Sequence, residues 1–107
     1  MTPRQLFNKL NRRYFNNRIP KPGAVAFVEK RRLPRAHAQT HFCHHGSRVK
    51  EVAYIHIRDT CLCEKCVTRY MLHEMVHLKN PHKNGHGKWF EDEMLKLVRR
   101  GAYRRIW

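Results

Sequence analysis

The chain has 107 residues, enough for one hydrophobic core, and 41% of them are hydrophobic, which excludes a disordered polar chain. Lys and Arg number 23 against 8 Asp and Glu, a formal charge of +15 that exceeds what solubility requires and points to a polyanionic partner. No apolar run approaches the roughly eighteen residues of a membrane span, and an N-terminus already polar at Arg4 and Gln5 predicts a protein that is not secreted.

Thr2-Pro3-Arg4-Gln5 reads as a helix start: a hydroxyl cap, proline in the first turn, and Gln placed to complete a capping box. Leu6, Leu10 and Tyr14 recur at helical spacing with Phe7 alongside, so a first helix is predicted to about Asn16. Pro20-Lys21-Pro22-Gly23 breaks it. Ala24 to Glu29 reads as a strand and Lys30 to Arg35 as a basic turn. From Ala36 to Cys43 a period of two sets Ala36, Ala38, Thr40 and Phe42 against His37, Gln39, His41 and Cys43, which predicts a half-buried second strand. His44 to Lys50, holding Gly46-Ser47, is expected to be a loop. A third strand follows at Val52 to Arg58, with Ala53, Ile55 and Ile57 on one face. A helix is then predicted from about Glu64 to Lys79, with Val67, Met71, Met75 and Leu78 as its core stripe. Asn80-Pro81-His82-Lys83-Asn84-Gly85 breaks that helix. A last helix begins near Lys88, where Glu91-Asp92-Glu93 suit the positive N-terminal dipole, and Phe90, Met94, Leu97 and Val98 form its apolar face. Strands grouped ahead of the second helix indicate one α+β domain over residues 1–107.

The second helix carries His73-Glu74-Met75-Val76-His77, an H-E-x-x-H run. Residues four apart share a helix face, so His73 and His77 can offer two imidazoles to one metal ion, with the Glu74 carboxylate beside them as a general base. A third ligand is available at His86, between Gly85 and Gly87, where the glycines permit a tight backbone approach. His82 is a rival, and His86 is preferred for its flanking glycines and for the family likeness below. The pentapeptide alone also occurs on ordinary surface helices; the core stripe, the breaker and the glycine-flanked histidine favour the metal.

Two segments resemble a known family: Leu10-Asn11-Arg12-Arg13-Tyr14-Phe15-Asn16-Asn17-Arg18-Ile19-Pro20, and Leu72-His73-Glu74-Met75-Val76-His77 followed by Gly85-His86-Gly87-Lys88-Trp89-Phe90. Together they are similar to the SprT zinc metallopeptidases, which include the Spartan proteases that digest proteins crosslinked to DNA. The likeness runs from Leu6 to about Val98. It implies a minimal zincin-like domain: an N-terminal helix, a three-stranded mainly antiparallel sheet, an H-E-x-x-H active-site helix and a C-terminal helix. It also implies zinc on His73, His77 and His86, with Glu74 as the catalytic base. The family's frequent C-terminal zinc ribbon has no counterpart, because no cysteine follows Cys66.

The expected function is thus a zinc-dependent endopeptidase in which zinc-bound water is activated by Glu74, with His82 and Tyr70 as candidate oxyanion stabilisers. Its substrates are expected to be proteins bound or crosslinked to DNA, and the DNA itself single-stranded or distorted. Tyr103 and Trp107 are candidates to stack on bases, whereas Tyr14 and Phe15 fall in a core stripe. A monomer in the cytoplasm, nucleoid or nucleus, with no membrane contact, fits the composition. Cys61, Cys63 and Cys66 suggest a second zinc, but a hairpin would set Cys43 roughly 25 Å from Cys61, and His37 is the better-placed fourth ligand; reduced thiols are the preferred reading. The alternative function is a nucleic-acid-binding module with a structural metal and no peptidase activity. A metal-dependent nuclease is a third reading, disfavoured by only 8 acidic residues.

Overall fold

A computed structural model describes residues 2–20, 22–29, 31, 36, 38–45, 48–59, 63–80 and 85–102, with backbone alone for 41–45 and 48–53. The order is α1 (Pro3–Tyr14), β1 (Ala24–Val28), β2 (Ala38–His45), β3 (Arg48–Arg58), α2 (Glu64–Lys79) and α3 (Lys88–Arg99), a small α+β arrangement. No helix among the described residues is long and apolar enough to cross a membrane.

The capping box expected at the start of α1 is present: Gln5 N–H donates to Thr2 Oγ1 at 3.1 Å, and Thr2 N–H donates to Gln5 Oε1 at 2.8 Å. The helix stops at Tyr14 rather than Asn16, because Asn16 and Asn17 take left-handed backbone (φ 53° and 59°), which asparagine tolerates better than most residues. The following turn is pinned from inside. Asn11 is 3% exposed; its Nδ2 donates to Ile19 O at 3.0 Å and its Oδ1 accepts from Ile19 N–H at 3.1 Å. One buried amide thus satisfies both backbone groups of Ile19 and seats that side chain in the core.

The sheet order is β1-β3-β2. β2 and β3 form an antiparallel hairpin from Ala38↔Ile57 to His45↔Arg48, with register shifts between His41 and Phe42 and between Cys43 and His44. β1 pairs with β3 in parallel, from Ala24↔Tyr54 to Val28↔Arg58, so the sheet is mixed rather than mainly antiparallel. Side-chain alternation says which face is buried, not which way a neighbour runs; β2 intervenes in sequence and β1 reaches β3 by a crossover. The loop expected over His44–Lys50 is mostly strand as well, since the hairpin arms run on to His45 and start again at Arg48.

The helices bury Ile55 and Ile57 of β3. The expected α2 stripe of Val67, Met71, Met75 and Leu78 is buried, and so are Leu72 and Val76, both 0% exposed. α2 is therefore enclosed over most of its circumference by α1, the sheet and α3. On α3, Phe90 and Leu97 are buried and Met94 packs against the core, but Val98 is 49% exposed and does not belong to that face. Each residue turns about 100° around a helix, which carries Val98 past the edge of a stripe already centred on Leu97. α3 ends in a Schellman-type turn: Ala102 N–H donates to Leu97 O and Gly101 N–H to Val98 O, each at 3.0 Å, with Gly101 at φ 83°.

Candidate metal centre

α2 carries His73 and His77 one turn apart, both half-buried, and His86 arrives from the short segment before α3. Gly85, just ahead of His86, takes φ 73°, a conformation that other residues adopt with strain. The close approach expected at the glycines is not what selects them: a Cβ on Gly85 would meet nothing within 4 Å, and one on Gly87 would sit 3.7 Å from Trp89 Cδ1, an ordinary contact.

His86 Nε2 lies 3.0 Å from His73 Nε2 and 3.1 Å from His77 Nε2. All three ligand atoms fall within 4.8 Å of one another. An ion held tetrahedrally at about 2.0–2.1 Å would set such nitrogens about 3.3–3.4 Å apart, so the two distances to His86 are close to the spacing that a shared metal requires. Burial, followed by the neighbouring His77 and His86, lowers the His73 pKa to about 4. Burial and then His86 lower that of His77. Neutral rings keep the lone pairs that a cation needs. The donors therefore fit: these three histidines can hold a metal ion. Among the described residues they are the group of three or more metal-type side chains that gathers at one point.

Phe90 supplies the floor. It is 7% exposed, and its ring centroid stands 4.7 Å from those of His73 and His86 and 5.0 Å from that of His77. One α3 aromatic thus touches all three imidazoles and limits their rotation. Trp89 stands edge-on to His77 at 6.1 Å. The helical period marks Phe90 as apolar and inward; its position beneath the rings depends on how α3 docks.

Glu74 is 5% exposed, with Oε2 at 3.9 Å from His73 Nε2. Thr40 Oγ1, on the edge strand β2, donates to Glu74 Oε1 at 2.9 Å. Burial raises the Glu74 pKa to about 7, against the opposing hydrogen bonds from the Thr40 side chain and backbone. A carboxyl that titrates near neutrality can both accept and return a proton there. The sequence does not single out Thr40 as a partner of Glu74. The period of two places it on the buried face with Ala38, but nothing in the sequence pairs it with a residue 34 positions away.

Tyr70 is half-buried against the core, one turn before Glu74. Cys63 is exposed and caps α2, its Sγ accepting from Cys66 N–H at 3.4 Å. His37, Cys61, His82, Tyr103 and Trp107 lie outside the described residues, as does the Cys43 side chain. A cavity of about 490 Å³, lined by Leu6, Leu10, Tyr14, Phe27 and Val67 among others, lies between α1, β1 and α2, and none of the three histidines lines it.

Against protein-family models, curated proteins and solved structures, the chain matches none. The SprT likeness rests on the residues quoted for it.

Proposed function

We propose that the chain is a zinc-dependent endopeptidase of the SprT type, with a minimal zincin-like domain, acting on DNA-bound or DNA-crosslinked proteins. The observation that carries this reading is the meeting of the His73, His77 and His86 Nε2 atoms beside the buried Glu74 carboxylate. Zinc bound there supplies a Lewis acid for the scissile carbonyl and a lowered pKa for water. His73, His77 and His86 would hold the ion, and Phe90 keeps their rings in place. Glu74, anchored at Oε1 by Thr40, takes a proton from the attacking water at Oε2 and returns it to the leaving amine nitrogen. The outer edge of β2 stands beside this site through Thr40 and offers backbone groups on which an extended polypeptide can lie as an added strand. Such a grip reads backbone rather than side chains, which suits varied protein substrates. The +15 charge supports a DNA partner.

A purely structural metal, as in a binding module without peptidase activity, has no use for a buried carboxylate held by a dedicated hydroxyl. Glu74→Gln tests the difference. It is expected to retain zinc and DNA binding while losing cleavage of a DNA-crosslinked protein by 100-fold or more, on the order of what general-base catalysis contributes. Cleavage by the variant at the wild-type rate would remove the base from the mechanism.

A further inference from the structure

The cavity of about 490 Å³ between α1, β1 and α2 falls in the range of roughly 300–1,000 Å³ in which small-molecule sites lie. Leu6, Tyr14 and Phe27 pack against the core yet stay half-buried, because the cavity lies against them. Its walls are tied by bonds to backbone. Arg4 Nη2 donates to Gly23 O at 3.2 Å, which joins α1 to the start of β1. The Arg100 guanidinium donates to Tyr14 O and Arg13 O, which joins the end of α1 to the end of α3. Opposite charges line the space from different helices. Lys9 and Arg13 are four apart on α1, so both stand on one face, and Glu64 stands in the first turn of α2. Among the described residues no ion pair joins either cation to Glu64 or to another carboxylate. The Arg13 guanidinium lies over the Tyr14 ring, 5.5 Å from its centroid, at the α1 wall.

We infer that this cavity binds a short zwitterionic peptide with apolar side chains, its C-terminal carboxylate on Lys9 and Arg13 and its N-terminal ammonium on Glu64. Charge complementarity selects that occupant. An apolar carboxylate without an ammonium leaves Glu64 facing its tail, and an apolar amine leaves both cations unmatched. A free amino acid carries its two charges on one carbon, too close together to reach separate helices. Packed helix axes stand about 8–10 Å apart and each peptide residue spans at most about 3.3–3.6 Å, so two or three residues reach from wall to wall. Leu6, Leu10, Phe27 and Val67 then cover the apolar side chains between the two ends. None of His73, Glu74, His77 and His86 lines the cavity, so it is a site separate from the metal centre.

The inference rests on neither the peptidase chemistry nor the DNA partner of the proposed function, so binding is measured without reference to cleavage. The probe is leucyl-leucine, added to the zinc-loaded wild-type protein and followed through backbone amide shifts in nitrogen–proton correlation NMR spectra. Saturable shifts are expected at Leu6, Leu10, Val67, Thr68 and Ala102, with a dissociation constant below about 1 mM. Joint substitution of Lys9→Ala and Arg13→Ala is expected to weaken binding about fivefold, and Glu64→Gln about two- to fivefold, as for exposed charge pairs. All three side chains are exposed, so these variants are expected to fold as the wild type does. Amidation of the peptide's carboxylate should weaken binding to the wild type and make no further difference to the Lys9 and Arg13 double variant. Acetylation of its amine should do the same with respect to Glu64→Gln. Absence of saturable shifts up to about 10 mM peptide overturns the inference. So does an amidated or acetylated peptide that binds the wild type as tightly as the free one. Shifts confined to the surroundings of Glu74 and Thr40 would also overturn it, by placing the peptide at the metal centre, and would leave the proposed function standing.

Discussion

At the scale of single residues, the site is defined by what holds Glu74. Burial alone makes its carboxylate a poor anion, and the hydrogen bonds from Thr40 moderate that effect, leaving the pKa near 7. Thr40→Val removes the hydroxyl and keeps the shape. The carboxylate then loses a donor that favours its charged form, so its pKa rises further. The proposed activity needs the charged form, so the acid limb of the pH–rate profile is expected to move to higher pH. A hydrogen bond to a charged group is worth about 1.5–3 kcal/mol, which bounds the displacement at roughly one to two pH units. Thr40→Ser should restore the wild-type limb, and zinc content should be the same in all three proteins. A limb that stays in place in Thr40→Val would show that the hydroxyl only fills space.

At the scale of elements, α2 and α3 are joined by more than packing. Glu93 of α3 accepts from Lys79 of α2 at 2.7 Å and from Lys96 of its own helix at 3.2 Å. Partial burial pushes the Glu93 carboxyl up, but the hydrogen bonds and charges of the two lysines prevail and hold it below the usual carboxylate range. A carboxylate with a lowered folded-state pKa stabilises the fold above its unfolded pKa and ceases to do so as pH falls through the folded value. Glu93→Gln is therefore expected to lower the urea midpoint at pH 7 and to leave it unchanged at pH 2. Both lysines are well exposed, so the loss should be no more than about 1 kcal/mol. Equal losses at both pH values would assign the effect to packing.

Elements differ in how far the sequence discloses them. α2 was legible end to end, because Val67, Met71, Met75 and Leu78 keep helical spacing up to a proline-containing breaker. Three imidazoles were legible as a set because ligand chemistry restricts residue types and a helix restricts spacing. The direction of β1 was not legible, since a period of two is the same in parallel and antiparallel pairs. Phe90 beneath the rings and Thr40 on Glu74 were hidden for another reason: each contact joins elements whose relative placement is a property of the whole core.

At the scale of the whole molecule, the histidines bring α2 and the segment entering α3 together, His77 and His86 standing on either side of the connection between the two helices. An ion shared by both sides closes that loop in the folded state and has no matching site in the unfolded chain, so its binding free energy adds to folding. At free zinc about 100-fold above its dissociation constant the gain is about 2.7 kcal/mol. Each kcal/mol moves the melting temperature of a domain near this size by about 4–8 °C, so chelation is expected to lower it by on the order of 10 °C and added zinc to restore it. His86→Ala removes the ligand on the far side of the loop while leaving α2 intact; its melting temperature should be nearly indifferent to chelator. Native mass spectrometry should record one zinc per wild-type chain, and a second would implicate the Cys61, Cys63 and Cys66 cluster. A wild-type protein whose melting is unmoved by chelator, at a concentration that strips zinc from the solution, would mean that the three nitrogens converge without a metal to share.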